Sequence, residues 1–252
     1  PVPPVPQHRA ATPKNSPATL RRTAVFLYLV GSKRRPTTHR TATHMKTNRD
    51  RILEECLRVF LSMNYERASI SRLSEACGLS RMGIHHYYPD KLSIFRAVAD
   101  RYIFEAQAPE SKFDTAEGSL ADFIDRYLEG IRRTMAQLVV RCDTGEERGG
   151  EPVAPNLRYF HLLIQTRLYY PGAEEKFRRL LDRTRALWLD AVERAARSGE
   201  LAEGCDVRRT ADAFHQIHFG LSFEEGFFKG LDLEALRGQY HYLYELIRRR
   251  ET

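Results

Sequence analysis

Apolar residues along the chain recur at helical rather than strand spacing. Ile52, Leu53, Cys56, Leu57 and Phe60 make one stripe; Ile70, Leu73 and Ala76 make a second; Leu92, Phe95, Val98, Ala99, Tyr102 and Ile103 make another. The pattern resumes at Leu120 with Phe123, Ile124, Tyr127, Leu128, Ile131, Met135 and Leu138, and again at Leu157, Phe160, His161, Ile164 and Leu168. A longer stripe runs from Phe177 through Leu180, Leu181, Thr184, Leu187, Trp188, Ala191 and Val192 to Ala195. Two more helices are expected from Asp206 to about Lys229 and over Leu233–Arg249. No alternating strand pattern and no repeat appears, so the expected fold class is all-α, with five or six helices in the body.

Polar punctuation sets the boundaries. Thr47 is a candidate N-cap, with Asp50 three residues on in the manner of a capping box. Ser69, Ser80 and Asp90 stand where second, third and fourth helices begin, and Pro89 ends the short third one. Gly78 lies between two short helices, at a turn that needs positive φ. Loops are expected over 108–118 and 142–155, with breaks at Pro171-Gly172 and Ser198-Gly199. Two short helices about a glycine turn, with a third in front, form the arrangement that lays a helix in the major groove. The expected organisation is a tail over 1–44, a helix-turn-helix domain over 45–95, and a helical sensing and dimerisation domain over 96–252.

Charge changes the picture less than its total suggests. The net charge is +7. Residues 1–44 hold eight Lys and Arg and no Asp or Glu, which leaves the rest of the chain at −1. The high pI therefore belongs to the tail and says nothing about DNA binding by the folded part. Residues 45–96 carry nine basic and six acidic residues, and 97–252 sum to −4. The tail opens Pro1-Val2-Pro3-Pro4-Val5-Pro6, is rich in Pro, Thr, Ser and Arg, and reads as disordered. Its apolar run Ala24–Val30 is too short to span a bilayer. Met45 precedes the first patterned helix, so translation is expected to start there; the alternative is a basic arm adding phosphate contacts.

Cys56, Cys77, Cys142 and Cys205 include no CxxC pair and read as small buried hydrophobes in a reducing cytoplasm. No P-loop, GxGxxG, GxSxG or HExxH occurs, and Gly145–Gly150 lacks the Lys-Ser/Thr of a phosphate cradle. Glu224 and Glu225 are adjacent on a helix and point apart. His215 and His218 sit one turn apart with no third ligand nearby in sequence, so they read as structural or pocket histidines. No enzyme activity, cofactor, metal or membrane association is expected.

The string itself carries more. Thr47-Asn48-Arg49-Asp50-Arg51-Ile52-Leu53, then Phe60, Asn64-Tyr65, and Ala76-Cys77-Gly78-Leu79-Ser80-Arg81-Met82-Gly83-Ile84-His85-His86-Tyr87-Tyr88-Pro89-Asp90-Lys91 resemble the DNA-binding domain of the TetR family of bacterial transcriptional regulators. The resemblance covers about residues 46–95. It implies base reading by Ser80, Arg81 and Met82, with Arg81 placed for a bidentate contact to guanine. It implies phosphate contacts from Thr47, His85, His86, Tyr87 and Lys91, with Lys91 adding its ammonium to a helix dipole. Ser69 joins this set at the start of the second helix, and Tyr88 has the family's aromatic packing position. Met82 and Gly83 depart from the family pattern, as does His85 where tyrosine is common.

The same resemblance implies a cytoplasmic homodimer on a palindromic double-stranded operator, acting as a repressor that a small-molecule effector releases. The dimer is expected to use the helices near 174–197 and 207–229, whose stripes include Leu180, Trp188, Phe214, Ile217 and Leu221; they suit a bundle interface and a subunit core equally well. Effector contacts are expected among Tyr102, Phe123, Tyr127, His161, Gln165, Tyr169, His215 and His218, where aromatic and polar residues interleave; Trp188 and Phe214 belong to the same set. The alternative function is a DNA-binding activator or architectural protein without an effector. A third reading, an enzyme or binding protein that has lost DNA function, requires Arg81 and Lys91 to be dispensable.

Overall fold

Side-chain caps set most helix starts in the computed structural model, which describes residues 48–113, 118–143, 145, 147–148 and 151–250. Thr47 and the tail over 1–44 lie outside the described residues. Helix α1 (Asn48–Ser62) leads to α2 (Ile70–Ala76), whose N-cap Ser69 accepts from the Arg72 N–H, and α3 (Arg81–Tyr87), whose N-cap Ser80 accepts from the Gly83 N–H. Gly78 has φ +65, the left-handed conformation the turn between them demands. Asp90 and Ser93 form a reciprocal capping box at α4 (Lys91–Ala99). That helix does not stop where the amphipathic stripe ends: Asp100–Glu105 continue it as six residues of π-helix. The expected domain boundary at 95–96 therefore falls inside one helix.

The 108–118 region is not wholly loop, since α5 (Pro109–Lys112) makes one turn with Pro109 at its start. Ser119 and Asp122 cap α6 (Leu120–Cys142) reciprocally. Between α6 and α7 (Pro155–Tyr169), Glu147–Arg148 pair antiparallel with Glu151–Pro152 as strands β1 and β2. Gly172 (φ +81) turns the chain into α8 (Ala173–Arg197); α9 (Val207–Gly226) and α10 (Leu233–Ile247) follow, capped by Asp206 and Asp232.

Two apolar clusters hold the helices. One joins Leu53, Cys56, Leu57 and Phe60 of α1 to Ile84, Phe95 and Ile103, and takes in Leu162 of α7 and Tyr170. The other packs Phe123, Tyr127 and Ile131 of α6 against Trp188, Phe214 and Tyr240 of α8, α9 and α10. Burial of side chains this large contributes about 1.5–3 kcal/mol each. Glu200, in the α8–α9 loop, accepts from the Leu120 N–H at 2.9 Å and the Tyr244 hydroxyl at 2.9 Å, pinning the start of α6 to α10.

Gly130 shows how closely α6 is approached. A Cβ there meets the Phe113 ring at 2.7 Å and the Lys112 carbonyl oxygen closer still, whereas one at Gly238 on α10 meets nothing within 4 Å. Gly238→Ala is expected to raise stability by roughly 0.5–1 kcal/mol. Gly130→Ala, though it improves helix propensity in the same way, is expected to lower it by about 1–3 kcal/mol. Urea melts of the two variants check the opposite signs.

Candidate nucleic-acid interface and sensor

The third helix presents its first residues outward. Arg81 and Met82 are exposed, Met82 at 80%, while Ile84 two residues on is fully buried. Ser80, Arg81 and Met82 thus form one edge, and the Ser80 hydroxyl proton stays available because its oxygen serves as the cap acceptor. Ser69 is placed alike at the exposed start of α2.

The neighbouring residues are more committed than the sequence implies. The His85 Nδ1 lies 2.9 Å from the Pro89 carbonyl oxygen, which only accepts, so that nitrogen carries the proton. The Nε2 of a neutral ring is then an acceptor, and His85 donates to an anion only when protonated. Lys91 donates to the Tyr65 carbonyl oxygen at 3.0 Å, and its ammonium sits 4.3 Å over the Tyr65 ring. The Ser93 N–H in the first turn of α4 is likewise engaged, by the Asp90 carboxylate. One of the three ammonium donors of Lys91 is therefore used inside the chain, and two remain for a phosphate. Tyr87 is half-buried and its hydroxyl accepts from Asn48 Nδ2 at 3.3 Å; His86 is exposed, edge-on to the Tyr87 ring. Tyr88 is buried, as its packing role implies, with Arg49 donating to its hydroxyl at 3.2 Å. Sequence reasoning passed over Arg49; its interaction spans 39 residues and leaves no local pattern.

The eight residues expected to contact an effector fall in four places rather than one. Phe123, Tyr127 and His218 belong to the packed aromatic core: Tyr127 stacks on Phe113 with centroids 4.0 Å apart, and its hydroxyl meets His218 Nδ1 at 2.9 Å. Trp188 and Phe214 lie in the same core, stacked at 4.7 Å. His215 is buried beside Phe219 on α9. His161, Gln165 and Tyr169 face the DNA-binding helices instead. Gln165 Oε1 accepts from the Tyr65 N–H, its Nε2 donates to the Phe60 carbonyl at 3.2 Å and lies 3.2 Å from His161 Nδ1, and Tyr169 stacks on Tyr65 at 4.9 Å. These three form a joint between α7 and the end of α1.

Tyr102 alone of the eight lines the open cleft between α1, α4, α6 and α7. That cleft holds about 370 Å³ of space not filled by atoms, including space open to solvent, above Leu57, Tyr102, Leu138, Tyr159 and Leu162, with Gln107 and Arg141 among its polar residues. The Tyr159 hydroxyl is buried there, beside the Gln107 side chain. Desolvation raises the Tyr102 hydroxyl to about 12 and the Cys142 thiol to about 12, so both stay neutral at physiological pH. Thr134, Gln137, Leu138 and Arg141 stand at i, i+3, i+4 and i+7, so one polar-apolar face of α6 was the signal for this site. Among the described residues, no group of three or more His, Cys, Asp or Glu is arranged to hold a metal ion.

Burial pushes the His218 imidazole well below the ordinary histidine value of 6.5, with the nearby Lys112 and His215 charges acting in the same direction. Burial likewise lowers His215. The unfolded chain then binds protons that the folded one refuses. Stability is whole above pH 6.5 and falls as pH drops below it. Melting temperature is expected to fall by several degrees between pH 7.5 and 5.5, and His218→Gln is expected to flatten that fall. An equally steep fall in the variant would show that His218 does not drive it.

Similarity to known proteins agrees with this geometry. The family model described as "Bacterial regulatory proteins, tetR family" matches residues 52–98, the span of α1 to α4. The HTH-type transcriptional repressor ComR of Escherichia coli K12 is 25% identical over 198 residues, covering 75% of this chain and 83% of ComR. A TetR-family regulator from Rhodococcus sp. superposes with TM-score 0.56 at 18% identity, over 79% of this chain and 98% of its own. A transcriptional regulator from Saccharomonospora viridis, solved with choline, superposes with TM-score 0.52 at 18% identity, over 81% of this chain and 98% of its own. No described helix is long and apolar enough to cross a membrane. With residues 52–98 matched to the family model and its helical fold shared with these structures, the chain carries a TetR-type helix-turn-helix domain and is similar to DNA-binding transcription regulators of that family.

Proposed function

We propose that the protein is a homodimeric repressor that reads a palindromic operator through α3 and lets go when a small molecule occupies the cleft between α1, α4, α6 and α7. The observation that carries the DNA reading is the outward edge of Ser80, Arg81 and Met82 on a helix whose other side is locked into the core. One such edge carries little sequence information, and a two-fold pair doubles it. This organisation gives residues 45–95 the DNA contacts and residues 96–252 sensing and dimerisation, across the shared helix α4.

The surface supports a dimer. Phe223, Phe227 and Phe228 at the end of α9 are 61%, 58% and 67% exposed, and Ile164 and Leu168 of α7 and Tyr242 and Leu246 of α10 are exposed as well. A monomer rarely leaves so many large apolar side chains in water. Trp188 and Phe214 are interior, and the outer face of α8 is charged, with Glu174, Glu175, Arg178, Arg179, Asp182 and Arg183 exposed. The expected pairing of α8 with α9 thus gives way to an interface centred on α9. Phe223→Glu is expected to weaken self-association at least tenfold, about 1.4 kcal/mol, and DNA binding with it, as read by sedimentation. A wild-type chain that stays monomeric on DNA would overturn the dimer.

For release, the cleft touches α1 and the π-helical stretch of α4 at once. Single-turn π geometry often marks functional sites, and it offers a second register at modest cost. The structural relative from S. viridis was solved with a small organic molecule, choline. Leu138→Trp, which fills the cleft, is expected to leave DNA bound in the presence of any molecule that releases the wild type.

A further inference from the structure

Cys56 and Cys77 read in the sequence as two unrelated buried hydrophobes, 21 residues apart. Folding puts their sulfurs in contact: Sγ to Sγ is 3.7 Å, across the interface between α1 and the C-cap of α2. Cys56 is 0% exposed and Cys77 6%, and the Cys77 sulfur also lies 3.7 Å from the Ile52 carbonyl oxygen. Neither Cys142 in the cleft nor Cys205, whose sulfur lies 3.4 Å from the Thr210 hydroxyl, has such a neighbour among the described residues. We propose that Cys56 and Cys77 are a redox-reactive pair in the DNA-binding domain, a disulfide-forming site whose oxidant is a hydroperoxide.

The two thiols differ in a way that suits ordered chemistry. Either sulfur can donate in this contact; with Cys56 as donor, the bond holds the Cys77 thiol below its ordinary value, while the same bond and burial keep Cys56 protonated. Cys77 is also the residue of the pair with a sliver of exposure, next to the open Gly78 turn. Thiolate reactivity and access thus fall on the same residue. The Cys77 thiolate attacks one peroxide oxygen and the O–O bond breaks; with one proton taken up, the products are Cys77 sulfenic acid and a molecule of water (an alcohol for an organic peroxide). Cys56 then attacks the Cys77 sulfur, the S–O bond breaks, and the Cys56 proton leaves with the hydroxyl as a second water. Two thiols are oxidised by two electrons and one peroxide is reduced.

Closing the bond matters because of where it lies. A disulfide requires a sulfur separation of about 2.05 Å, so the contact must shorten by roughly 1.7 Å. In a close-packed core that displacement is carried by backbone rather than absorbed. Cys77 is followed at once by Gly78 and the turn into α3, so the helix that presents Arg81 shifts against α1. The consequence for DNA rests on the function proposed above; the disulfide itself does not.

The test treats the full chain with hydrogen peroxide, blocks free thiols, digests with trypsin without reduction and maps the peptides. Cys56 lies in Ile52–Arg58 and Cys77 in Leu73–Arg81, so the link joins two separate peptides. The expected result is that joined pair, absent after thiol reductant and absent from Cys56→Ala and Cys77→Ala, each confirmed folded by its melting curve. Both cysteines alkylated as free thiols in oxidised, folded wild type would overturn the site, whether or not the protein binds DNA. Affinity for a selected duplex is expected to fall at least tenfold on oxidation, to recover with reductant, and to be insensitive to peroxide in Cys77→Ala. A linked protein with unchanged affinity would overturn the coupling to DNA.

Discussion

Arg81→Ala is expected to abolish the preference for a selected operator while leaving the protein folded. Arg81 is exposed at the first turn of α3, no described residue is ion-paired with it, and alanine is the better helix former. Its loss removes a bidentate contact worth about 1–3 kcal/mol, taken twice in a two-fold complex, or roughly 30-fold to ten-thousandfold in affinity. Weak, salt-sensitive binding to any duplex remains, because phosphates attract the other cations. Arg81→Lys recovers little of the loss, since an ammonium lacks the planar fork. Titration of a selected and a scrambled duplex against each variant measures this. Equal affinity of wild type for both duplexes, or an unchanged ratio in Arg81→Ala, would contradict the role.

Gln165→Ala is expected to cost about 2–4 kcal/mol, because it strands the Tyr65 N–H and the Phe60 carbonyl at a joint where the side chain is buried. The effect is expected to be local as well. The Tyr65 amide is expected to exchange with solvent faster, because Gln165 closes it. Arg178→Ala on the solvent side of α8, which loses only exposed pairs to Glu174 and Glu175, is expected to stay within about 0.5 kcal/mol. Chemical denaturation with hydrogen exchange separates the two. A Gln165 variant as stable as the Arg178 variant would mean that α7 and the DNA-binding helices are joined by apolar packing alone.

The joint also marks how far the sequence is legible. Caps and stripes are local, and Ser69, Ser80, Asp90, Gly78 and Asp206 do in the structure what their spacing implies. Contacts between distant helices leave no such trace. Gln165 meets Phe60 across 105 residues, and nothing near either residue announces it. Periodicity tells which face of a helix is apolar but not what covers it. That is why Trp188 and Phe223, both apolar positions on late helices, turn out to lie at opposite extremes of exposure. Candidate effector residues chosen for interleaved aromatic and polar character were scattered for the same reason: that character suits an aromatic core, a polar joint and a cleft alike. The π-helical end of α4 is invisible too, since one extra residue in a turn barely disturbs a helical stripe.

Selection from a random-sequence duplex pool, with the full chain at moderate salt and excess competitor DNA, tests the central claim most directly. The account predicts enrichment of one palindrome whose half-sites lie about one helical turn apart, bound by two copies of the chain and lost in Arg81→Ala. Retention of every sequence alike, with steep salt dependence and no enriched site, would contradict it, because the binding would then be owed to basic residues and not to the edge of α3.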